Sequence, residues 1–211
     1  MFRRLKLRFK EGFYRYCVST LTAIASALFR FQVIGRENLK QDGSYVLVAR
    51  HRSYWDIPLM AAAVGVEERV HFIARRGLMR GLPFLRIAVH AYSTVIDREN
   101  FSRDDFRRML DAFKRERLIG LFPEGTTRQQ ADAKGGAIHF ASLARKDFLP
   151  VNIRAEGPYP PRYPFRYPRI TVSIGTPVSV AELERGLEHL ESRAERYRDM
   201  SARLMQRVDT A

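Results

Sequence analysis

Short apolar runs bounded by polar residues or turn formers recur along the chain. Ser44–Arg50 (SYVLVAR), Val70–Ala74 (VHFIA), Ser93–Ile96 (STVI) and Leu118–Phe122 (LIGLF) read as buried strands. Phe148–Arg154 is a fifth, with Pro150 expected at its start or at a sheet edge because proline cannot donate to a ladder. Arg169–Ile174 is a sixth, in which Ile170, Val172 and Ile174 alternate with polar residues. Between these runs the period changes to that of a helix. One helix starts near Ser53 or Asp56, with Pro58 tolerated in its first turn. Leu78–His90 is broadly apolar, broken at Gly81 and Pro83, and helical after them. In Ser102–Arg117, Phe106, Met109, Leu110 and Phe113 recur at helical spacing behind Ser102 and Asp105, a capping-box-like start. Gly135 and Gly136 open a helix ending near Lys146. Ser179 with Glu182 is expected to cap one long C-terminal helix carrying Leu183, Leu187, Leu190, Tyr197 and Leu204. Strands alternating with helices, with no repeat and no long linker, predict a single α/β domain with a mostly parallel central sheet flanked by helices.

The start of the chain is different. Arg3, Arg4, Lys6, Arg8, Lys10 and Arg15 fall among Phe2, Leu5, Leu7, Phe9, Phe13 and Tyr14. Tyr16–Phe29 then carries no charge, and Arg30 closes it. As a helix that uncharged stretch reaches only ~21 Å, short of the ~30 Å hydrocarbon core of a bilayer. Ser19, Thr20, Thr22 and Ser26 make it less apolar still. The pattern predicts a membrane-associating helical segment over residues 1–34, lying in the interface and anchored by arginines and aromatics. Two other readings compete. One is a signal peptide cleaved near Ala25-Ser26-Ala27, against which stands its short, hydroxyl-rich apolar core. The other is an ordinary core helix.

Charge extends this picture to the whole chain. Its 211 residues hold 37 Lys and Arg against 23 Asp and Glu, a formal net charge of +14. Such an excess points to a polyanionic partner: an anionic membrane surface, a nucleic acid, or an acidic protein or ligand. Each basic residue close to an anionic surface adds ~1 kcal/mol of attraction. A nucleic-acid-binding protein is therefore one reading of the charge, but no nucleic-acid motif accompanies it. Hydrophobic residues make up 45% of the chain, which fits a globular fold and excludes disorder as the expectation. Cys17 is the only cysteine, so neither a disulfide framework nor zinc-ligand spacing exists. His71, His90, His139 and His189 have no ligand-like grouping with acids, and no metal site is expected.

Polar residues with chemistry follow the strands directly. His51 follows the first, Asp97 and Arg98 the third, and Glu124 the fourth. In open α/β sheets ligands bind outside the carboxyl ends of strands. If the strands are parallel, His51, Arg98 and Glu124 share one rim. Asp56 lies five residues beyond His51 in RHRSYWDIP. A histidine whose second nitrogen is held by a carboxylate is an oriented general base, able to take a proton from a hydroxyl. The pattern alone also fits a structural histidine beside a helix N-terminal carboxylate. No G-x-S-x-G elbow supplies another nucleophile. In Pro123–Arg128, Gly125 lets backbone amides approach a ligand, and Thr126, Thr127 and Arg128 can donate to phosphate oxygens, as Arg98 can across the rim. Glu124 suits a ligand hydroxyl, or it aims an arginine. The alternative for this stretch is a turn with a surface salt bridge.

HRSYWD from His51 to Asp56, followed about seventy residues later by FPEGT from Phe122 to Thr126, resembles the glycerolphosphate acyltransferase superfamily, in particular bacterial lysophosphatidate acyltransferases. The resemblance extends over roughly residues 33–180 through VIDR (Val95–Arg98), AKGGA (Ala133–Ala137), FLPVNI (Phe148–Ile153) and GTPV (Gly175–Val178). It implies an acyltransferase domain over residues 35–211. The reaction it implies is acyl transfer from acyl-CoA or acyl-acyl-carrier protein to the hydroxyl of a lysophospholipid, most simply lysophosphatidate. No cofactor or nucleic acid is implied. His51 would be the base and Asp56 its partner. Arg98 would bind the acceptor phosphate, and Glu124 and Gly125 would help to position the acceptor. The implied location is the cytoplasmic face of the inner membrane, peripheral or monotopic. This chain departs from the family pattern at Arg50 (usually asparagine), Arg75 (usually lysine), Gly77 (usually an acid) and Thr127 (usually arginine, here one place later as Arg128). These departures bear on the acceptor, and another lyso-lipid is the alternative. The resemblance offers no account of PYPPRYPFRYP (Pro158–Pro168).

Overall fold

Seven strands form one sheet in a computed structural model of the chain, which describes residues 2–76, 83–124, 135–160 and 167–211. The elements run α1 (Phe2–Phe29), β1 (Gln32–Ile34), a 3-10 turn (Arg36–Asn38), β2 (Tyr45–Val48), α2 (Asp56–Val64), β3 (Val70–Arg75), α3 (Pro83–Tyr92), β4 (Ser93–Ile96), α4 (Arg103–Arg115), β5 (Leu118–Leu121), α5 (Gly136–Ala144), β6 (Asp147–Glu156), β7 (Arg169–Ile174), α6 (Val180–Glu184) and α7 (Arg193–Thr210). The strand order is β1-β7-β6-β2-β5-β3-β4. Pairs from β6 across to β4 are parallel, β7 is antiparallel to β6, and β1 is parallel to β7. The predicted mostly parallel α/β sheet is what forms.

Burial on both faces explains why the strands read as continuous apolar runs. In β2, Tyr45 and Leu47 enter a cluster with Tyr14, Val18, Ala25 and Phe29 of α1 and Leu59, Met60, Ala61, Ala63 and Val64 of α2. Val46 and Val48 enter the opposite cluster, with Met109 and Phe113 of α4, Ile138 of α5 and Met200 and Leu204 of α7. At the sheet centre Gly120 leaves room for Phe72, whose ring a Cβ would meet at 2.4 Å. The capping box of α4 forms as its sequence predicts, with Ser102 and Asp105 exchanging side-chain-to-backbone bonds.

Two expectations, on the C-terminal helix and on Pro150, need correction. The expected long C-terminal helix is two, α6 capped by Ser179 and α7 capped by Ser192. Gly186, at φ +79°, turns the chain between them. Helix α1, 28 residues long, falls within the helical segment expected over residues 1–34 and runs through its basic start. Strand β1, three residues long, carries too little pattern to be seen, and its pairing with β7 fixes it. Pro150 sits at neither a strand start nor an edge. It falls where β6 leaves β2 (Val48 opposite Pro150) and takes up β7 (Val151 opposite Ile174), so its missing N–H coincides with the handover. Its carbonyl accepts from the Gly175 amide at 2.9 Å.

At the opposite end of the sheet from His51, Lys146 is buried and ties together the entries to β2 and β5. Its ammonium donates to Ser44 Oγ and to the carbonyls of Glu116 (2.7 Å) and Arg117 (3.0 Å). Burial, aided by the Arg117 charge and opposed by Glu116, pushes it down to about 8 from 10.5. Between those two values the unfolded chain holds the extra proton, so this group adds stability as pH rises through the window. Urea midpoints of wild type and Lys146→Met, compared at pH 7.5 and pH 10, are expected to move in the wild type's favour at the higher pH. Parallel pH dependence would show that the group is not perturbed.

Candidate active site

Strands β2 and β5 are adjacent and parallel, with Val48 opposite Leu121, so the residues beyond them emerge side by side. The His51 backbone amide donates to Glu124 Oε2 at 3.2 Å, and the His51 ring stacks on Phe122 with centroids 4.4 Å apart. Past His51 the chain wraps around one carboxylate. Asp56 opens α2 with no exposed surface, and its Oδ2 accepts from the amides of Arg52 (2.6 Å) and Ser53 (2.7 Å). The same oxygen lies 3.1 Å from His51 Nδ1. A carboxylate only accepts, so the proton of a neutral imidazole sits on Nδ1 and Nε2 keeps its lone pair.

Glu124, 8% exposed, is the partner that aims an arginine, and the arginine is Arg50. Arg50 Nη1 donates to Glu124 Oε1 at 2.6 Å, while its Nε and Nη2 grip both oxygens of Asp209 near the end of α7, each at 2.6 Å. The nearby Asn152 side chain donates to the Asp209 carbonyl at 2.9 Å. A residue that the sequence marks only as a departure from the family thus couples the last helix to the rim.

Two further residues went unrecognised in the sequence. The Tyr159 hydroxyl donates to Asp56 Oδ1 from the connection between β6 and β7. Arg52 lies over the Tyr159 ring at 5.4 Å and donates to the Ile153 carbonyl. Nothing in the sequence around Tyr159 points to Asp56, which is 103 residues away.

Arg98 follows β4, on the same edge as His51 and Glu124. By strand order β4 is three places from β2, roughly 14 Å across the rim. Asp97 shapes the turn there, its Oδ1 accepting from the amides of Glu99 and Asn100, both at 3.1 Å. Burial and the like charge of Arg75 at the end of β3 push the Arg98 guanidinium down from its ordinary value. Gly125, Thr126, Thr127 and Arg128 lie outside the described residues, as does Gly77. The structure therefore brings His51, Asp56 and Glu124 into contact and puts Arg98 on the same edge.

The acyltransferase family matches residues 30–154, more than half of the chain. A 1-acyl-sn-glycerol-3-phosphate acyltransferase of Streptococcus pneumoniae is 30% identical over 158 residues, covering 72% of this chain; the chain spans 58% of that relative's length. The crystal structure of the 1-acyl-sn-glycerophosphate (LPA) acyltransferase PlsC from Thermotoga maritima shares the fold. Its TM-score is 0.68 at 22% identity, over 99% of this chain and 85% of that one.

The two carboxylates that Arg50 bridges differ in burial, and that sets their value. Glu124 is nearly buried, whereas Asp209 is about half exposed. Arg50→Ala removes the donor to a carboxylate that water replaces poorly, and should lower stability by about 1–3 kcal/mol in urea titrations. Asp209→Ala breaks only the exposed part and should cost under about 1 kcal/mol.

Proposed function

We propose that this chain, which belongs to the acyltransferase family, transfers a fatty acyl group from an acyl thioester to the free hydroxyl of a lysophospholipid, lysophosphatidate giving phosphatidate. The observation that carries the reading is the His51–Asp56 pair, in which the carboxylate holds Nδ1 and so leaves the lone pair on Nε2. In the proposed reaction Nε2 takes the proton of the acceptor hydroxyl as its oxygen attacks the thioester carbon. Asp56 stabilises the imidazolium that forms. The tetrahedral intermediate collapses with loss of the C–S bond, and the imidazolium returns its proton to the departing sulfur. The products are an ester and a thiol. No acyl-enzyme is required, because the thioester is already activated. Acyl-CoA and acyl-acyl-carrier protein both fit this chemistry as donor.

Arg98 is proposed to hold the acceptor phosphate. The gap from β2 to β4 suits a side chain from each bank with a glycerol phosphate between them. Glu124 acts through the rim it holds together, and Gly125, Thr126 and Arg128 are proposed to complete the acceptor site.

Residues 1–34 are proposed to hold the protein at the cytoplasmic face of the inner membrane, against anionic lipid. Among the described residues no helix is long and apolar enough to cross a membrane. Helix α1 buries one stripe in the core and leaves Tyr16 and Ile24 exposed, as are Tyr54 beside the site and Ile87 on α3. An interfacial helix with such flanking side chains supports peripheral attachment.

Purified protein with labelled acyl-CoA or acyl-acyl-carrier protein and a panel of lyso-lipids tests the reading. His51→Ala should lower turnover by about 10²–10⁴-fold while leaving the circular dichroism spectrum unchanged. Arg98→Ala should raise KM for phosphate-bearing acceptors selectively. Unaltered use of those acceptors would remove the phosphate assignment.

A further inference from the structure

The Asp56 carboxylate has two differently served oxygens. Oδ2 meets His51 and two backbone amides, all supplied by the local turn. Oδ1 takes the hydroxyl of Tyr159, a residue from a different part of the fold. We propose that Tyr159 is a positioning residue for the His51–Asp56 pair: its hydroxyl orients the carboxylate and draws charge away from the oxygen that faces the imidazole. This inference rests on the general-base reading of His51 given above.

The phenol is itself held in place. Arg52 covers its ring at 5.4 Å. Burial first, and then the Asp56 charge, push the phenol well above its ordinary value, so it remains a donor across the working pH range. Asp56 has no exposed surface, so water cannot replace a lost donor without local rearrangement. Among the described residues the other charged groups bonded about the pair are Arg50 and Arg52 beyond β2, Glu124 beyond β5 and, through Arg50, Asp209 of α7. None of them changes when only the phenol oxygen is removed.

The direction of the effect follows. Without the Tyr159 donor, more negative charge remains on Asp56 and the imidazolium of His51 is better stabilised. His51 then holds its proton to higher pH, and a base must be neutral to act. In Y159F the His51 titration midpoint, followed by NMR of ¹⁵N-histidine in the full chain without substrate, should rise by about one pH unit. The acid limb of kcat/KM with acyl-CoA and lysophosphatidate should move the same way, and the plateau should fall about tenfold. In the D56N background, adding Y159F should shift the midpoint no further. Installing 3,5-difluorotyrosine at position 159 keeps the residue's shape while strengthening the donor, and should move the midpoint down; it decides the matter should Y159F not fold. A His51 midpoint unmoved by either replacement overturns the proposal. Failure of the wild type to transfer acyl groups would overturn the proposed function instead, and the NMR titration would still report whether Tyr159 acts on the pair.

Discussion

A carboxylate without any exposed surface has to be surrounded by donors, because an ion removed from water loses several kcal/mol of hydration that only well-aimed hydrogen bonds offset. Asp56 is such a group, and much of the local architecture is its solvation shell. The turn after β2 folds back so that two amides point at Oδ2, α2 begins there, and the connection after β6 contributes a phenol to Oδ1. The imidazole of His51 is the remaining donor, and its orientation follows from that of the carboxylate. Fold and chemistry are linked at this point: removing any element of the shell leaves a buried charge short of a partner, and the same loss frees the ring.

The sheet makes this arrangement possible through register. With β2 and β5 parallel and adjacent, the ends of the two strands deliver His51 and Glu124 to neighbouring positions without further adjustment. Lys146 works at the other end, fixing where the strands begin. Arg50 then joins the rim to α7, which packs on the opposite face of the sheet from α2.

What could be read in the sequence followed the range of the interactions. Strands β4 and β7 and the α4 capping box are local patterns, and they stand where periodicity and cap chemistry put them. His51 and Asp56 were legible because five residues separate them and a helix starts at the second. Their shared edge with Arg98 and Glu124 followed from alternating strands and helices, since parallel strands end on one side. Arg50 and Asp209 are 159 residues apart, and Tyr159 and Asp56 are 103 apart. No periodicity encodes such contacts; tertiary packing alone makes them. The split of the C-terminal helix was missed for another reason. Leucines at helical spacing continue across Gly186, and the pattern outweighed the single residue that breaks it.

The distribution of cations on the rim has a consequence for how an acceptor lies in the proposed reaction. Near the base, arginines are abundant but engaged: Arg50 is shared by Glu124 and Asp209, and Arg52 is spent on Ile153 and the face of Tyr159. At the β3–β4 end burial, and after it the like charge of Arg75, lowers the Arg98 guanidinium. A phosphate held beside Arg98, as proposed, would also offset the like charge of Arg75. A lysophospholipid would therefore lie across the rim with its phosphate toward β4 and its hydroxyl toward β2. In that orientation the neutral end of the glycerol meets His51, and the headgroup charge stays away from the buried Asp56.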